Sequence, residues 1–448
     1  MSKRIVVKYN QGSTHKTDRP ILRKERKIMK TYLYPSNILL PDFNKVDGKK
    51  WAAVACDQYT SEPEYWNKAY EFAAGCPSTL ELMLPEAFLD RESELIPKIN
   101  QKMHEYLADH LVEHKDSMIY LERKQSDGRI RRGIVGAIDL EDYDYSKGSQ
   151  TLTRATEGTV LERIPPRVAI RRGAAFEMPH IMILIDDPER TVIEPISSKA
   201  ESYAKAYDFD LMAESGHVKG RFISSEDFDG INTALDKLAT ADAMNKKYGV
   251  EAAPLLFAMG DGNHSLASAK ALYEEIKREI GDEAAKDHPA RYALCEIVNL
   301  HDNALDFEPI YRVIFGVDKE DFTRSFADYL TALHGNAEEQ GIDLWQDGEI
   351  IKTYTVQSAE AQLAVGTVQN FLDIYVKAHP DVTVDYIHGV ETVRALTRQD
   401  NTLGITFDGM TKEMLFKTVI CDGALPRKTF SMGHAADKRF YLECRKIR

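Results

Sequence analysis

Ala258-Met259-Gly260-Asp261-Gly262-Asn263-His264-Ser265 follows a short apolar run, Ala253 to Phe257, that reads as a buried strand. It precedes Leu266 to Ile280, where Leu266, Ala269, Leu272, Tyr273 and Ile276 recur at helical spacing. A strand-to-helix turn therefore gathers two glycines, an acid, an amide, an imidazole and a hydroxyl. Glycine lets the backbone approach a ligand closely. A helix start offers unpaired N–H groups and the positive end of a dipole, which suits phosphate. Gly260, Gly262, Asn263 and Ser265 are thus the phosphate-facing candidates. Asp261 and His264 add groups that handle a proton or a metal. The plainer alternative is a glycine turn with Ser265 or Asn263 as N-cap.

Working outward, strands and helices alternate irregularly. Strands are expected at Trp51–Asp57, Ser117–Lys124, Arg129–Asp139, Pro179–Asp186, Tyr292–Asn299 and Leu403–Phe407. The Ser126-Asp127-Gly128 turn predicts a hairpin between the second and third. Val192–Ile196 is a further strand candidate. Helices are expected over Glu62–Ala74, Pro85–His114, Phe228–Tyr248, Lys319–Leu333, Ala359–Ala378 and Lys412–Val419. Hairpins mixed with crossovers predict an α+β fold of mixed sheets with flanking helices rather than a purely parallel sheet. At 448 residues the chain is long for one domain. The expected division is a basic extension over 1–30, an N-terminal α+β domain over 31–249 and a C-terminal α+β domain over 250–448 that carries the glycine turn.

Residues 1–30 hold ten lysines and arginines against Asp18 and Glu25 and have little apolar periodicity, so disorder is expected there. Met29 as the true start is the favoured reading of that segment; a basic arm is the alternative. The whole chain is acidic, with a formal net charge of −13, which disfavours general nucleic-acid binding. No apolar run is long enough to span a membrane, and no secretory signal opens the chain. The five cysteines are scattered and form no C-x-x-C pair. A reduced, cytoplasmic protein is expected. Cys56 reads as a buried strand-end residue rather than a nucleophile.

Familiar fingerprints are missing: no Walker A loop, no H-E-x-x-H and no G-x-S-x-G. The turn nearly fits G-x-G-x-x-G, but Ser265 holds the last position. Asp282 and Glu283 have the expected spacing yet follow a helix, not a second strand. Three other groups carry chemistry. Arg154-Ala155-Thr156-Glu157-Gly158-Thr159, followed by Arg163, Arg167, Arg171 and Arg172, offers guanidinium forks for phosphate or carboxylate, with Glu157 as acid or base. Pro165-Pro166 reads as a stiff connector beside it. His180 with Asp186 and Asp187 marks a strand end, for which plain turn chemistry is the stronger reading. Pro426-Arg427-Lys428-Thr429-Phe430-Ser431-Met432-Gly433-His434, with Lys438 and Arg439 beyond, forms a candidate second phosphate edge.

Asp261-Gly262-Asn263-His264 resembles the D-G-H-H-R turn of the bacterial family called domain of unknown function 1015. Arg154–Thr159 resembles its R-H-E-x-T element, and Pro426–Phe430 resembles its P-x-K-S-T-x-F element. The order is the same, and the resemblance covers most of the chain from about Tyr32 onward. It implies a ParB/sulfiredoxin-like nucleotide-site core, a group that includes free serine kinases. In that group a glycine-histidine turn at a helix start holds nucleotide phosphates. Members tend to accompany serine-biosynthesis enzymes. Two departures matter: Asn263 and Ser265 stand where a histidine and the arginine are usual, and Ala155 stands for the histidine of the second element.

The expected function is a nucleotide-dependent phosphotransferase acting on a small hydroxyl metabolite, with serine favoured, ATP or ADP as nucleotide and Mg²⁺ as cofactor. Asp261, His264 and Glu157 are the expected catalytic residues, with Asp261 also holding the metal. Gly260, Gly262, Asn263, Ser265, Arg154, Arg167, Arg427 and Lys428 are the expected phosphate-binding set. The alternatives are a phosphoserine-dephosphorylating enzyme and a ParB-like nucleotide-dependent DNA-binding regulator.

Overall fold

In the computed structural model, which describes residues 30–159 and 161–448, two large β-sheets carry helices on their faces. The basic segment discussed above lies, up to residue 29, outside the described residues. The fold is α+β, as the mixed strand pattern implies.

The larger sheet has nine strands in the order 204–210, 217–222, 119–124, 130–139, 292–299, 182–185, 257–261, 153–154 and 143–144. Its centre follows from composition. Tyr292–Asn299 and Met182–Ile185 are nearly unbroken apolar runs, buried on both faces. They pair in parallel, whereas 182–185 and 257–261 pair antiparallel. The expected hairpin forms, with Gly128 at φ +87° in its turn. The second sheet is antiparallel, in the order 349–356, 340–346, 402–407, 307–315 and 383–388, with Phe430–Met432 added beside Phe307. Helices Lys319–Thr331, Ala364–Ala378 and Lys412–Asp422 supply much of its core through Phe322, Phe326, Val368, Phe371 and Leu415.

The division expected near Gly249 does not match the sheets. Strands 257–261 and 292–299 lie in the same sheet as 119–139, because their apolar residues are needed to cover its middle. The last strands also return to the first half of the chain. Cys444–Lys446 pairs with Ser36–Pro41 and with Phe176–Glu177. A buried charge network fixes that return: Arg439 bonds Glu296 (2.5 Å) and Glu443 (2.6 Å), and Arg445 bonds Glu177 (2.9 Å). Each of these charges is paired, as burial requires.

Several expected elements differ. Trp51–Asp57 holds only the two-residue strand Ala53–Val54, after a short helix at Gly48–Trp51. The Pro85–His114 stretch ends its helix at Asp109, and Leu111–Ser117 is a strand instead. Val192–Ile196 is not a strand, because the Asp187 carboxylate accepts from the Thr191 (2.6 Å) and Val192 (2.9 Å) amides and turns the chain into helix Glu194–Ser197. Phe228–Tyr248 is two helices, the second capped by Thr240 on the Ala243 amide. Pro165 and Pro166 sit in the first turn of helix Ile164–Arg172, where a missing N–H costs nothing.

Candidate functional site

The strand Phe257–Asp261 runs between 182–185 and 153–154 and delivers the glycine turn to the edge of the sheet. Pairing with 182–185 shifts register between Met259 and Asp261. A side chain at Gly260 would press on Leu184 Cγ at 3.0 Å and the Met182 carbonyl at 3.2 Å. Gly262 has φ +78° and ψ +28°, and a Cβ there would lie 3.1 Å from Ile181 Cα. The left-handed backbone favours glycine at 262, while at 260 a side chain would force its neighbours back by a few tenths of an ångström.

Helix Asn263–Ile280 starts directly after Gly262, with no side-chain cap and no acid in its first turn. Neither Ser265 nor Asn263 is the N-cap. The Leu266 amide bonds back to the Gly262 carbonyl at 3.0 Å. The Asp261 carboxylate accepts from the Gly262 amide at 2.9 Å, and the Asn263 Oδ1 is buried without a hydrogen-bond partner. A helix start left without an acid or a cap is electropositive and suited to an anion.

That helix start opens into a cleft of about 780 Å³. The second motif reaches it along the sheet. Arg154 pairs in parallel with Ala258, and the Thr156 hydroxyl donates to the Met259 carbonyl at 2.7 Å. Glu157 then pairs with Leu425, which sets the third motif opposite the turn. Arg427 donates to the Tyr386 hydroxyl (2.7 Å) and to Asp373 (2.8 Å). Lys428 has φ +54°, with its carbonyl held by Arg312 at 3.1 Å. Lys438, delivered by the C-terminal return, lies 3.4 Å from Asp261. Arg167 pairs with Glu86 on the facing wall.

The electrostatics separate the acids. Burial pushes the Glu157 carboxyl above its ordinary value; Asp261 adds to this, while Lys428 and Lys438 oppose it. Burial also acts upward on Asp57, but His180, the Gln58 amide and Lys438 together bring that carboxyl below the usual range. His180 Nε2 lies 3.7 Å from Asp57, and its Nδ1 is 2.9 Å from the Tyr441 hydroxyl. That hydroxyl donates to the Cys56 sulfur at 3.0 Å. Burial and Asp57 push the Cys56 thiol up to about 12.

Gly260, Asp261, Gly262, Asn263, His264 and Ser265 all line this cleft, as do Glu157, Arg167, Arg427 and Lys428. Arg154 does not. It is 2 % exposed, and its guanidinium donates to the carbonyls of Thr151 (2.9 Å), Ala253 (2.8 Å) and Pro254 (3.3 Å), satisfying backbone that the sheet edge leaves bare. Asp186 and Asp187 point elsewhere, to His301, Lys247 and the 187–192 turn. Asp57, Glu86, Tyr386 and His388, to which sequence reasoning assigns no site role, also line the cleft. Asp57 had one signal, an acid directly after an apolar run; the others had none. Among the described residues no three His, Cys, Asp or Glu side chains gather to hold a metal. A cation bound here would therefore need oxygens from its ligand beside Asp261, which is common for Mg²⁺ on nucleotides.

The family model of proteins of unknown function called DUF1015 matches residues 40–375. The chain belongs to the DUF1015 family. No curated protein matches it by sequence. Among solved structures, this DUF1015 chain is similar to a mutant free serine kinase in complex with AMP (10 % identity, TM-score 0.36, covering 70 % of this chain and 91 % of that one). It is similar in the same degree to a mutant free serine kinase in complex with ADP (11 %, 0.35, 71 % and 93 %). A conserved hypothetical protein from Pyrococcus furiosus also matches (11 %, 0.32, 67 % and 90 %). Such distant likenesses leave the functional reading to the cleft's own geometry.

Proposed function

We propose that this DUF1015 protein transfers a phosphoryl group between a nucleotide, ATP or ADP, and a small hydroxyl metabolite. The observation that carries the reading is the uncapped start of helix Asn263–Ile280, facing a cleft that also holds Arg167, Arg427, Lys428 and Lys438. Phosphoryl transfer is mostly positioning and charge neutralisation, which this arrangement supplies. Gly260, Gly262 and the amides of Asn263 to Ser265 cradle phosphate oxygens. His264 contacts a phosphate. The four cations offset charge on the transferring group. Glu157, whose carboxyl is shifted toward neutrality, accepts the proton of the attacking hydroxyl, and the bond from phosphorus to the nucleotide oxygen breaks as the new one forms. Mg²⁺ arriving with the nucleotide would rest on Asp261 and would neutralise phosphate charge. Serine is the first substrate to test, from the resemblance to ParB/sulfiredoxin-like free serine kinases. Arg154 takes no part in this scheme; it holds the sheet edge.

Kinetics of Asp261→Ala and His264→Ala test the assignment. Removing a group that stabilises the transition state costs about 10²–10³ in turnover. Unchanged turnover in both variants would sink it.

A further inference from the structure

The cleft has a branch whose chemistry differs from its own. Behind Arg167, His180 and Ser265 a second cavity of about 110 Å³ opens, and it shares those residues and Cys56 with the cleft. Most of its lining is apolar: Leu82, Met83, Leu84, Met103, Ala174 and Phe176, each buried, with Arg171, Glu177 and Ser268 among the polar groups beyond the shared mouth. The apolar residues come from the segment after the short helix Thr79–Glu81, from helix Glu92–Asp109, and from the stretch that runs from helix Ile164–Arg172 into strand Phe176–Glu177, so distant segments shape one hollow. Nothing in the fold requires it, since packed interiors leave few voids larger than a water molecule.

We infer that this branch receives an apolar arm of the phosphoryl-accepting substrate, so that hydroxyl compounds carrying a small hydrocarbon group are preferred over serine. This rests on the phosphotransfer reading. Serine has no such group and would leave the branch empty. A nucleotide base fits it poorly. Its amino group needs acceptors, but Glu177 is already committed to Arg445 (2.9 Å) and the Leu294 amide (3.0 Å). Ser268 donates to the His264 carbonyl at 2.6 Å. The methionines suit an arm of adaptable shape.

Two readouts test it on the whole protein. The first is ¹³C-methyl methionine NMR with the signals of Met83, Met103 and Met178, all of which line the branch, assigned, titrated with serine, threonine and 3-hydroxyleucine and separately with ADP. The expected result is shifts that grow along the alcohol series and are absent with ADP. The second is the Michaelis constant along the same series. Each added buried methylene is worth about a factor of four, so the constant falls roughly tenfold or more from serine to 3-hydroxyleucine. In Ala174→Leu, which fills the branch, the trend disappears while serine behaves as before. Ile170 also lines the branch, and Ile170→Phe serves as a second filling variant if that one folds poorly. Methyl signals unmoved by any alcohol overturn the inference, and so do shifts produced by ADP alone. Arm-dependent shifts with no phosphorylated product keep the apolar branch as a ligand site and remove the phosphotransfer reading instead.

Discussion

Gly262→Ala isolates the turn on which the account depends. Alanine at φ +78° carries the left-handed penalty of about 1–2 kcal/mol. Its Cβ would also stand 3.1 Å from Ile181 Cα, inside ordinary contact, so the turn must move by a few tenths of an ångström. Gly249→Ala is the matched control. Gly249 has φ +68° and ψ +24° after helix Ala241–Tyr248, and a Cβ there meets nothing within 4 Å. The control should lose about 1 kcal/mol of stability and bind nucleotide as the parent does. Gly262→Ala should lose roughly 2 kcal/mol, from the same backbone penalty with the contact added. It should also lose at least tenfold in affinity for ATP or ADP, because hydrogen bonds to charged groups are worth about 1.5–3 kcal/mol each and their donors have moved. Calorimetric unfolding and titration with Mg²⁺-nucleotide measure both quantities. A Gly262→Ala protein that is destabilised yet binds nucleotide within twofold of the parent would refute phosphate binding at this turn.

Further outcomes follow from the same geometry. Glu157→Gln should lose about 10²–10⁴ in turnover and abolish the acid limb of the pH–rate profile, since the base works only when ionised. Because the folded-state carboxyl is raised, the native protein binds that proton more tightly than the unfolded chain; its contribution is therefore fully present at low pH and is lost as pH rises through the folded value. Glu157→Gln should accordingly be more stable than the parent at neutral pH, and the difference should vanish below the ordinary carboxylate range in a pH series of unfolding curves. Lys428→Ala should weaken nucleotide binding about tenfold and flatten its salt dependence, read by titration at two ionic strengths. Arg154→Ala should destabilise by about 3 kcal/mol, because three buried carbonyls lose their donor, while the folded fraction keeps its turnover. Chelation of Mg²⁺ should stop turnover and leave the unfolding temperature unchanged, because the described residues form no metal cage of their own. A large drop in that temperature would contradict the last expectation.

The turn was legible because its residues are contiguous. Gly260 to Ser265 announce a strand end, a left-handed step and a helix start within six positions. The Arg154–Thr159 and Pro426–Phe430 motifs were legible as chemistry, but their meeting depends on long-range pairing: Ala258 with Arg154, and Glu157 with Leu425. Arg154 misled because an arginine fork that serves backbone carbonyls has the same local sequence as one that serves phosphate. Asp57 follows strand Ala53–Val54, whereas Tyr386 and His388 sit two residues apart on strand Thr383–His388, so only the folded chain unites the acid with that strand. The hairpins 204–222 and 340–356 were missed for a different reason: one strand of each, 204–210 and 349–356, is largely exposed, so period-two burial left little trace in it.

Phosphorus NMR of the purified protein with Mg²⁺ tests the central claim most directly, with serine plus ATP or ADP in one set and phosphoserine with and without ADP in another. The account predicts a new phosphoserine or nucleotide signal that disappears in Asp261→Ala. Free phosphate without any transfer between nucleotide and hydroxyl, or a signal that persists in Asp261→Ala, would contradict it.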